Sequence, residues 1–370
     1  MPHLKSFYLA DVNLVLKMTD AAQKILVAPL NWGLGHATRC IPIIRALQTC
    51  GYTPILASDG QALALLKKEF PELTTLELPS YDIEYARDGA EFKWKMIKNL
   101  PRMVDAIRLE KKMVRQWVKD YDLSGIISDN RPGVFSKKIP SVFITHQLRV
   151  LSGNTTWISS KLHQHIIKKF EECWVPDFES SHNLSGKLGH LKNPDDKIKY
   201  IGPLSRFEKK TEPIQYDLMV LLSGPEPQRG MLEERLRTQI DRYNGRVIFI
   251  CGRVEEKQKI TEVDGITYYN FMTSSELEKA FNQSAFVLAR SGYTTLMDLV
   301  KLDKKAFFIP TPGQYEQEYL AKRMRKNGWF LSAKQDDFRF SDITQGQLHQ
   351  PPKLVEEPVH WKNLFCLFEQ

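Results

Sequence analysis

The sequence predicts an α/β protein built from two Rossmann-like, doubly wound units, and three observations predict it. At 370 residues the chain exceeds the size of one ordinary core. Short apolar runs alternate with helical patterns through the first half, and the alternation restarts in the second. Between the halves, Tyr200-Ile201-Gly202-Pro203-Leu204 to Pro213 holds a glycine, two prolines and the charged run Phe207-Glu208-Lys209-Lys210, the composition of a boundary. The expected division is an extension over 1–22, a first domain over 23–205, a second over 206–345, and a tail over 346–370 that could pack back on the first domain.

Lys24–Leu30 reads as a buried parallel strand, an apolar run closed by turn residues. After Asn31-Trp32-Gly33-Leu34-Gly35-His36, the pattern of Ile41, Ile44, Arg45 and Leu47 predicts a helix ending near Gly51. Thr53–Ala57 is a second strand, Gln61–Phe70 a second helix and Leu73–Leu78 a third strand. From Pro101 to Lys119 runs the longest helical pattern. Met103, Val104, Ile107, Val114, Trp117 and Val118 share one face, and Arg102, Arg108, Lys111, Lys112, Arg115 and Lys119 occupy the rest. Strands follow at Gly125–Ser128, Ser141–Thr145 and Cys173–Val175, with Ile158, Leu162, Ile166 and Phe170 marking a helix between the last two. The second half gives strands at Asp217–Ser223, Arg246–Cys251, Thr267–Asn270, Ala285–Ala289 and Ala306–Ile309. Its helices fall at Met231–Tyr243, Ser274–Phe281 and Thr294–Leu302.

Bulk properties exclude several classes. The apolar runs fall far short of the roughly 20 residues of a membrane span. Asp11, Asn13 and Lys17 interrupt the N-terminal apolar pieces, against a signal peptide. Five scattered cysteines without a CxxC pair argue for a reducing, cytoplasmic setting and against a zinc site, and no metal is expected. The net charge of +8 suits nucleic acid, an anionic membrane or phosphorylated substrates. Nucleic acid is disfavoured, because the basic residues are not interleaved with aromatics along one reading element.

In doubly wound folds ligands gather at the carboxyl ends of the strands. There the first strand meets Gly33-Leu34-Gly35-His36-Ala37-Thr38-Arg39. Gly33 and Gly35 let the backbone turn tightly and approach a ligand, the helix N-terminus favours anionic or hydroxyl oxygens, and His36 could take a proton from a hydroxyl. A glycine turn with a helix-capping histidine is the plain alternative. In the second half Arg290-Ser291-Gly292-Tyr293-Thr294-Thr295 opens another helix. Ser291, Gly292 and Thr294 offer donors to a phosphate, Arg290 adds charge, and Asp298 could accept bonds from vicinal hydroxyls. The loop Pro310 to Glu318 carries polar groups suited to sugar hydroxyls, and Ser223-Gly224 follows the strand that opens the second domain.

Together these loops resemble the GT-B glycosyltransferases, in particular family 28, which includes the peptidoglycan-precursor N-acetylglucosaminyltransferases. The resemblance spans roughly residues 24–335 and rests on GLGH, Ser223-Gly224, the RSG of Arg290–Gly292, Asp298 and Gln317-Glu318 in that order. It implies two domains facing across a cleft, with a UDP-sugar as co-substrate, no further cofactor, and inversion at the transferred sugar. By this likeness the donor lies in the second domain: Asp298 on the ribose, Ser291 and Gly292 at the diphosphate, Gln317 and Glu318 on the sugar. Phe271 and Met272 would lie against the uracil, Ser223 near the phosphates, and His36 would face the acceptor. Two departures are plain: the first loop is less glycine-rich than in the peptidoglycan enzymes, and Ala321 stands where they have an asparagine, which leaves the sugar unspecified. No DxD-type pair marks a metal site.

The string Gly33-x-Gly35-His36-x-x-Arg39-Cys40 also resembles nucleotide-sugar hydrolases of the pseudaminic acid pathway, in which the histidine activates water. The greater length of this chain, falling in the first domain, favours a transferase acting on a glycan or lipid-linked acceptor. A non-catalytic nucleotide-sugar-binding subunit is the other reading. In the first domain Asp129 could assist His36 electrostatically, Asn130 adds a polar contact or a turn, Arg131 could hold an acceptor anion, and His146 ends the next strand. His163 and His165 face different sides of a helix, against a metal pair. The basic helix Arg102–Lys119, preceded by Lys93, Trp94, Lys95 and Lys98, could rest on an anionic membrane at its inner face, or simply solvate its charges.

Overall fold

The computed structural model describes residues 22–369 apart from 82–88, 152, 154–155, 225, 254, 344–348 and 353–358, with backbone alone over 89–98. The extension up to residue 21 and the side chains of Lys93, Trp94, Lys95 and Lys98 lie outside the described residues. Two seven-stranded sheets, each flanked by helices, make up the described fold.

In the first sheet the order is β3-β2-β1-β4-β5-β6-β7, all parallel. The strands are β1 (Lys24–Pro29), β2 (Thr53–Ser58), β3 (Thr75–Glu77), β4 (Leu123–Asp129), β5 (Ser141–Ile144), β6 (Glu172–Val175) and β7 (Ile198–Tyr200). Helices α1 (Gly35–Thr49), α2 (Gly60–Glu69), α3 (Gly89–Asp120) and α4 (Thr156–Ile167) connect them. Ile25, Leu26, Val27 and Ala28 are all fully buried, which explains an apolar run without alternation: helices cover both faces of this sheet.

The second sheet runs β10-β11-β9-β8-β12-β13-β14. Its strands are β8 (Leu218–Leu221), β9 (Val247–Ile250), β10 (Ile260–Val263), β11 (Ile266–Tyr269), β12 (Phe286–Ala289), β13 (Lys305–Phe308) and β14 (Leu331–Ser332). All neighbours are parallel except β10, which pairs antiparallel with β11 at the edge. Helices α5 (Gln228–Arg237), α6 (Ser274–Asn282), α7 (Tyr293–Lys301) and α8 (Tyr315–Lys326) complete the unit. Thr273 and Glu276 form a reciprocal capping box at the start of α6.

Where the chain leaves the sequence expectation, the reason is local. Helix α3 starts at Gly89 and runs through Pro101, well before the predicted start. Strand β10 is exposed at all four residues, and its Ile-Thr-Glu-Val forms neither an apolar run nor a clean alternation, so it gave no strand signal. Helix α8 opens on Tyr315-Glu316-Gln317-Glu318 and looked like a polar loop. Its buried Gln317, Leu320, Ala321 and Met324 nonetheless follow the i, i+3, i+4, i+7 pattern. The tail turns back as α9 (Trp361–Phe365) and seats Phe365 and Phe368 in the first domain beside Tyr52, whose hydroxyl donates to the Phe365 carbonyl at 3.2 Å.

Strand order reverses beside β1 in the first sheet, between β1 and β4, and beside β8 in the second, between β8 and β12. These switch points leave crevices at the carboxyl ends of the strands. GLGH and Asp129 sit at the first, Ser223-Gly224 and the RSG loop at the second.

Candidate functional site

The loop after β1 turns through Gly33 at φ +75°, a conformation that favours glycine, and enters α1 at Gly35. Gly35 serves the domain contact. The Thr294 hydroxyl, from the first turn of α7, donates to its carbonyl at 3.1 Å, and a Cβ there would stand 2.9 Å from the Thr294 Oγ1. The two switch points therefore touch. His36 has no side-chain capping bond, so the capped-turn alternative does not describe it.

Its Nδ1 lies 2.9 Å from Asp129 Oδ1 at the end of β4. Arg39, one turn further along α1, donates from Nε to Asp129 Oδ2 at 2.6 Å and from Nη2 to Oδ1. Asp129 and Arg39 are buried, whereas the His36 side chain keeps 14% of its exposure. His36 Nδ1 lies 2.9 Å from both Asp129 Oδ1 and Arg39 Nη2; in the tautomer whose Nδ1–H is donated to the carboxylate, Nε2 carries the lone pair of a base. Burial pushes the His36 pKa down; Asp129 pulls it up and Arg39 down again, and the result lies below the ordinary value. Burial alone would raise the Asp129 carboxyl, but Arg39 and His36 hold it well below the usual carboxylate range.

Arg39 also reaches His146, just beyond β5, with Nη1 2.9 Å from Nδ1. The other ring nitrogen of His146 meets Glu316 of α8 at 3.0 Å, and Gln147 donates to the second Glu316 oxygen. Tyr293 of α7 stacks on the His146 ring at 4.3 Å and 4°, and its hydroxyl donates to the Pro176 carbonyl at 2.9 Å. Glu316 was missed from the sequence. The signal was its place one residue before Gln317 in a loop already suspected, but only the helix assigns it to the face turned toward the first domain.

Two expected ligand contacts are corrected. Arg131 is fully buried and holds no acceptor anion. It pairs with Asp59 and with Glu110 at 2.8 Å, and donates to the Pro29 carbonyl at 3.0 Å. Arg290 is likewise fully buried, so its guanidinium makes no direct phosphate contact. Its guanidinium donates to the carbonyls of Ile309, Pro310 and Gln228 and to Gln335 Oε1 at 2.8 Å. Carbonyls left at strand ends need donors, and a buried arginine supplies several.

The remaining residues divide between side-chain and backbone roles. The Ser291 hydroxyl donates to the Gln317 carbonyl at 2.9 Å, while Gln317 Oε1 accepts from Thr311 N at 2.9 Å. Glu318, in the first turn of α8, is exposed and accepts from Gly313 N at 2.9 Å in the loop just before that helix. Gly292 is the N-cap of α7 with no side-chain cap, so the first amides of that helix have no carbonyl of their own turn. Asp298 is buried on the same helix and accepts from the linker hydroxyl of Ser205 at 2.6 Å. Burial raises its pKa to about 7, against the opposing pull of Arg206. Phe271 and Met272 are half-buried, with the Lys68 ammonium of α2 5.0 Å from the Phe271 ring centre. Ser223 is half-buried, Gly224 exposed at φ +98°, and Asn130 half-buried at φ +56°. Among the described residues no cluster of His, Cys, Asp or Glu has the arrangement of a metal site.

Residues 229–350 match the glycosyltransferase family 28 C-terminal domain. The chain is a family 28-like glycosyltransferase of the GT-B fold. An 18% identical relative, a glycosyltransferase of Methanopyrus kandleri, aligns over 340 residues, 86% of this chain and 92% of its own. The UDP-N-acetylglucosamine–N-acetylmuramyl-(pentapeptide) pyrophosphoryl-undecaprenol N-acetylglucosamine transferase of Clostridium kluyveri is 23% identical over 318 residues, 82% of this chain and 84% of that one. Among solved structures, a UDP-glucosyltransferase from Polygonum tinctorium superposes with a TM-score of 0.63 at 12% identity, over 95% of this chain and all of that one. MurG of Acinetobacter baumannii superposes at 0.54 and 12%, over 94% and 99%. These likenesses place the two sheets of the transferase as the paired domains of the GT-B fold.

Proposed function

We propose that this transferase moves a sugar from a UDP-sugar to an acceptor hydroxyl with inversion, and that His36 is the base. The observation that carries the reading is the His36–Asp129 pair at the first switch point, in contact with the N-terminal turn of α7 from the second. Asp129 holds the ring so that Nε2 can take the acceptor proton as the hydroxyl oxygen attacks the anomeric carbon from the face opposite the leaving UDP. The amides of Gly292, Tyr293 and Thr294 are suited to the departing diphosphate, a role that asks for no metal. Asp298 would exchange the Ser205 hydroxyl for those of the ribose. Because Arg131 and Arg290 are committed internally, the phosphate contacts fall to backbone amides.

A panel of UDP-sugars, with N-acetylglucosamine among them, offered with and without lipid-linked acceptors, tests this reading. Acceptor-dependent UDP release is expected, insensitive to EDTA; equal release in water alone would overturn it.

For the acceptor, a lipid-linked glycan at the cytoplasmic face of an anionic membrane is the favoured class. The support is a set of apolar side chains left in solvent on α4: Trp157, Ile158 and Leu162 are each more than 60% exposed, with the Lys161 ammonium 4.1 Å from the Trp157 ring. Leu100 and Val104 are exposed to a lesser degree, 50% and 43%, on the basic helix α3, and no described helix is long and apolar enough to cross a bilayer. Exposed apolar groups beside a lysine suit an interfacial contact. Co-sedimentation with phosphatidylglycerol vesicles but not phosphatidylcholine vesicles is the expected result; equal recovery with both would remove the charge from the argument.

A further inference from the structure

The polar chain at the domain contact does not end at the catalytic pair. From the second domain, Glu316 bonds His146 and Gln147 of the first, and His146 in turn bonds Arg39, which holds Asp129. Proton direction along this chain follows from chemistry. Arginine is a donor only, so His146 Nδ1 accepts from Arg39 and Nε2–H donates to Glu316. With Gln147 donating to the other oxygen, Glu316 accepts at both, which favours the carboxylate. Burial opposes that, but His146, His36 and Arg39 together hold its carboxyl below the ordinary range. Arg39 is thus shared between Asp129 directly and Glu316 through one imidazole.

We propose that Glu316 is a positioning residue which, from the sugar-donor domain, sets the hydrogen bonds and basicity of the His36–Asp129 pair when the two domains are in contact. The inference rests on the reading of His36 as the base. Asp129 of β4 and Arg39 of α1 touch that ring directly; behind them stand Cys40 of α1 on Asp129, His146 of the loop after β5 on Arg39, and Glu316 of α8 on His146, with Tyr293 of α7 stacked on His146. Arg39 is the cation that weakens the base. A carboxylate delivered to the far side of the network offsets part of that charge, and the offset is lost when Glu316 leaves with its domain. The base is therefore strongest in the closed arrangement, where a bound donor would also be enclosed.

The test needs no substrate. Ring resonances of His36, identified by their loss in His36→Ala, are followed by NMR against pH in the full-length protein and in Glu316→Gln. Removing the negative charge should lower the His36 midpoint by about 0.5 unit. A staple between domains with no influence on the base would lower the melting temperature and leave the midpoint in place, and an unmoved midpoint overturns the proposal. Should Glu316→Gln not melt cooperatively, Glu316→Asp replaces it. That variant keeps the charge on a shorter arm that breaks the His146 bond, and a smaller shift of the same sign is expected; no shift there overturns the proposal equally. Failure of the underlying reading looks different: His36→Ala would transfer sugar at the wild-type rate, whatever Glu316 does to the midpoint.

Discussion

The two glycine loops at the switch points look alike in sequence and work by opposite means. In GLGH and the first turn of α1 behind it, the side chains face the domain contact: His36 and Arg39 meet Asp129, and Arg39 continues to His146. In the RSG loop, after β12, the side chains turn inward. Arg290 ties down the carbonyls of Ile309 and Pro310 after β13 and of Gln228 at the start of α5, Ser291 ties down α8, and what the loop offers outward is backbone. The contrast matches the chemistry asked of each domain. A base needs a side chain with a tuned proton, whereas a leaving diphosphate is held as well by amides at a helix end, which need no reorganisation.

The largest effect expected from this contrast is at His36. His36→Ala should lower kcat by about 10²- to 10⁴-fold, the usual worth of a general base. Its melting temperature should hardly move, because the ring is partly exposed and Asp129 keeps its two bonds to Arg39. In the wild type, the acidic limb of kcat/KM should fall below 6.5, since burial lowers the His36 pKa in the free enzyme. A limb above that value would mean that another group titrates.

Next in size is Arg290. Arg290→Met should destabilise the fold by about 3–5 kcal/mol, because several buried carbonyls lose their donor. Any residual folded protein should keep its donor KM within about threefold. If thermal melting is unchanged and the donor KM rises steeply, the loop works through its side chains after all and the contrast fails.

Much of this was legible in the sequence because parallel strands buried on both faces announce themselves. Ile25–Ala28, Val247–Ile250 and Phe286–Ala289 are runs that little else produces. The position of GLGH after the first strand and the pairing of His36 with Asp129 were legible for the same reason: strand ends order the loops. What could not be read was direction. Arg131 and Arg290 are the same residue type as Arg39 and, like it, follow a strand end closely, and only the fold decides which guanidinium faces the site and which serves backbone carbonyls. Glu316 was hidden for a related reason. A run of Glu-Gln-Glu exposes one side chain, buries another and turns a third across the contact, according to a helical phase that the polar sequence does not display.

The smallest expected effect concerns the one acidic side chain of α7 that does face the first domain and linker. Asp298 is raised to about 7 by burial, with Arg206 and the Ser205 hydroxyl pulling the other way. If its carboxylate accepts the ribose hydroxyls, donor affinity should weaken as pH falls through 7, by about tenfold between pH 8 and 6 as the ionised fraction drops. Stability should run in the opposite direction. A carboxyl whose folded pKa is raised favours its protonated form in the native state, so its contribution is present at low pH and lost as pH rises through about 7. The two opposed slopes separate binding from folding: UDP titrations by calorimetry should follow the first, and melting temperatures in the absence of UDP the second. Asp298→Asn should flatten both. A UDP affinity that stays level from pH 6 to 8 in the wild type would take Asp298 out of the donor site, and would leave α7 contributing through its N-terminal amides alone.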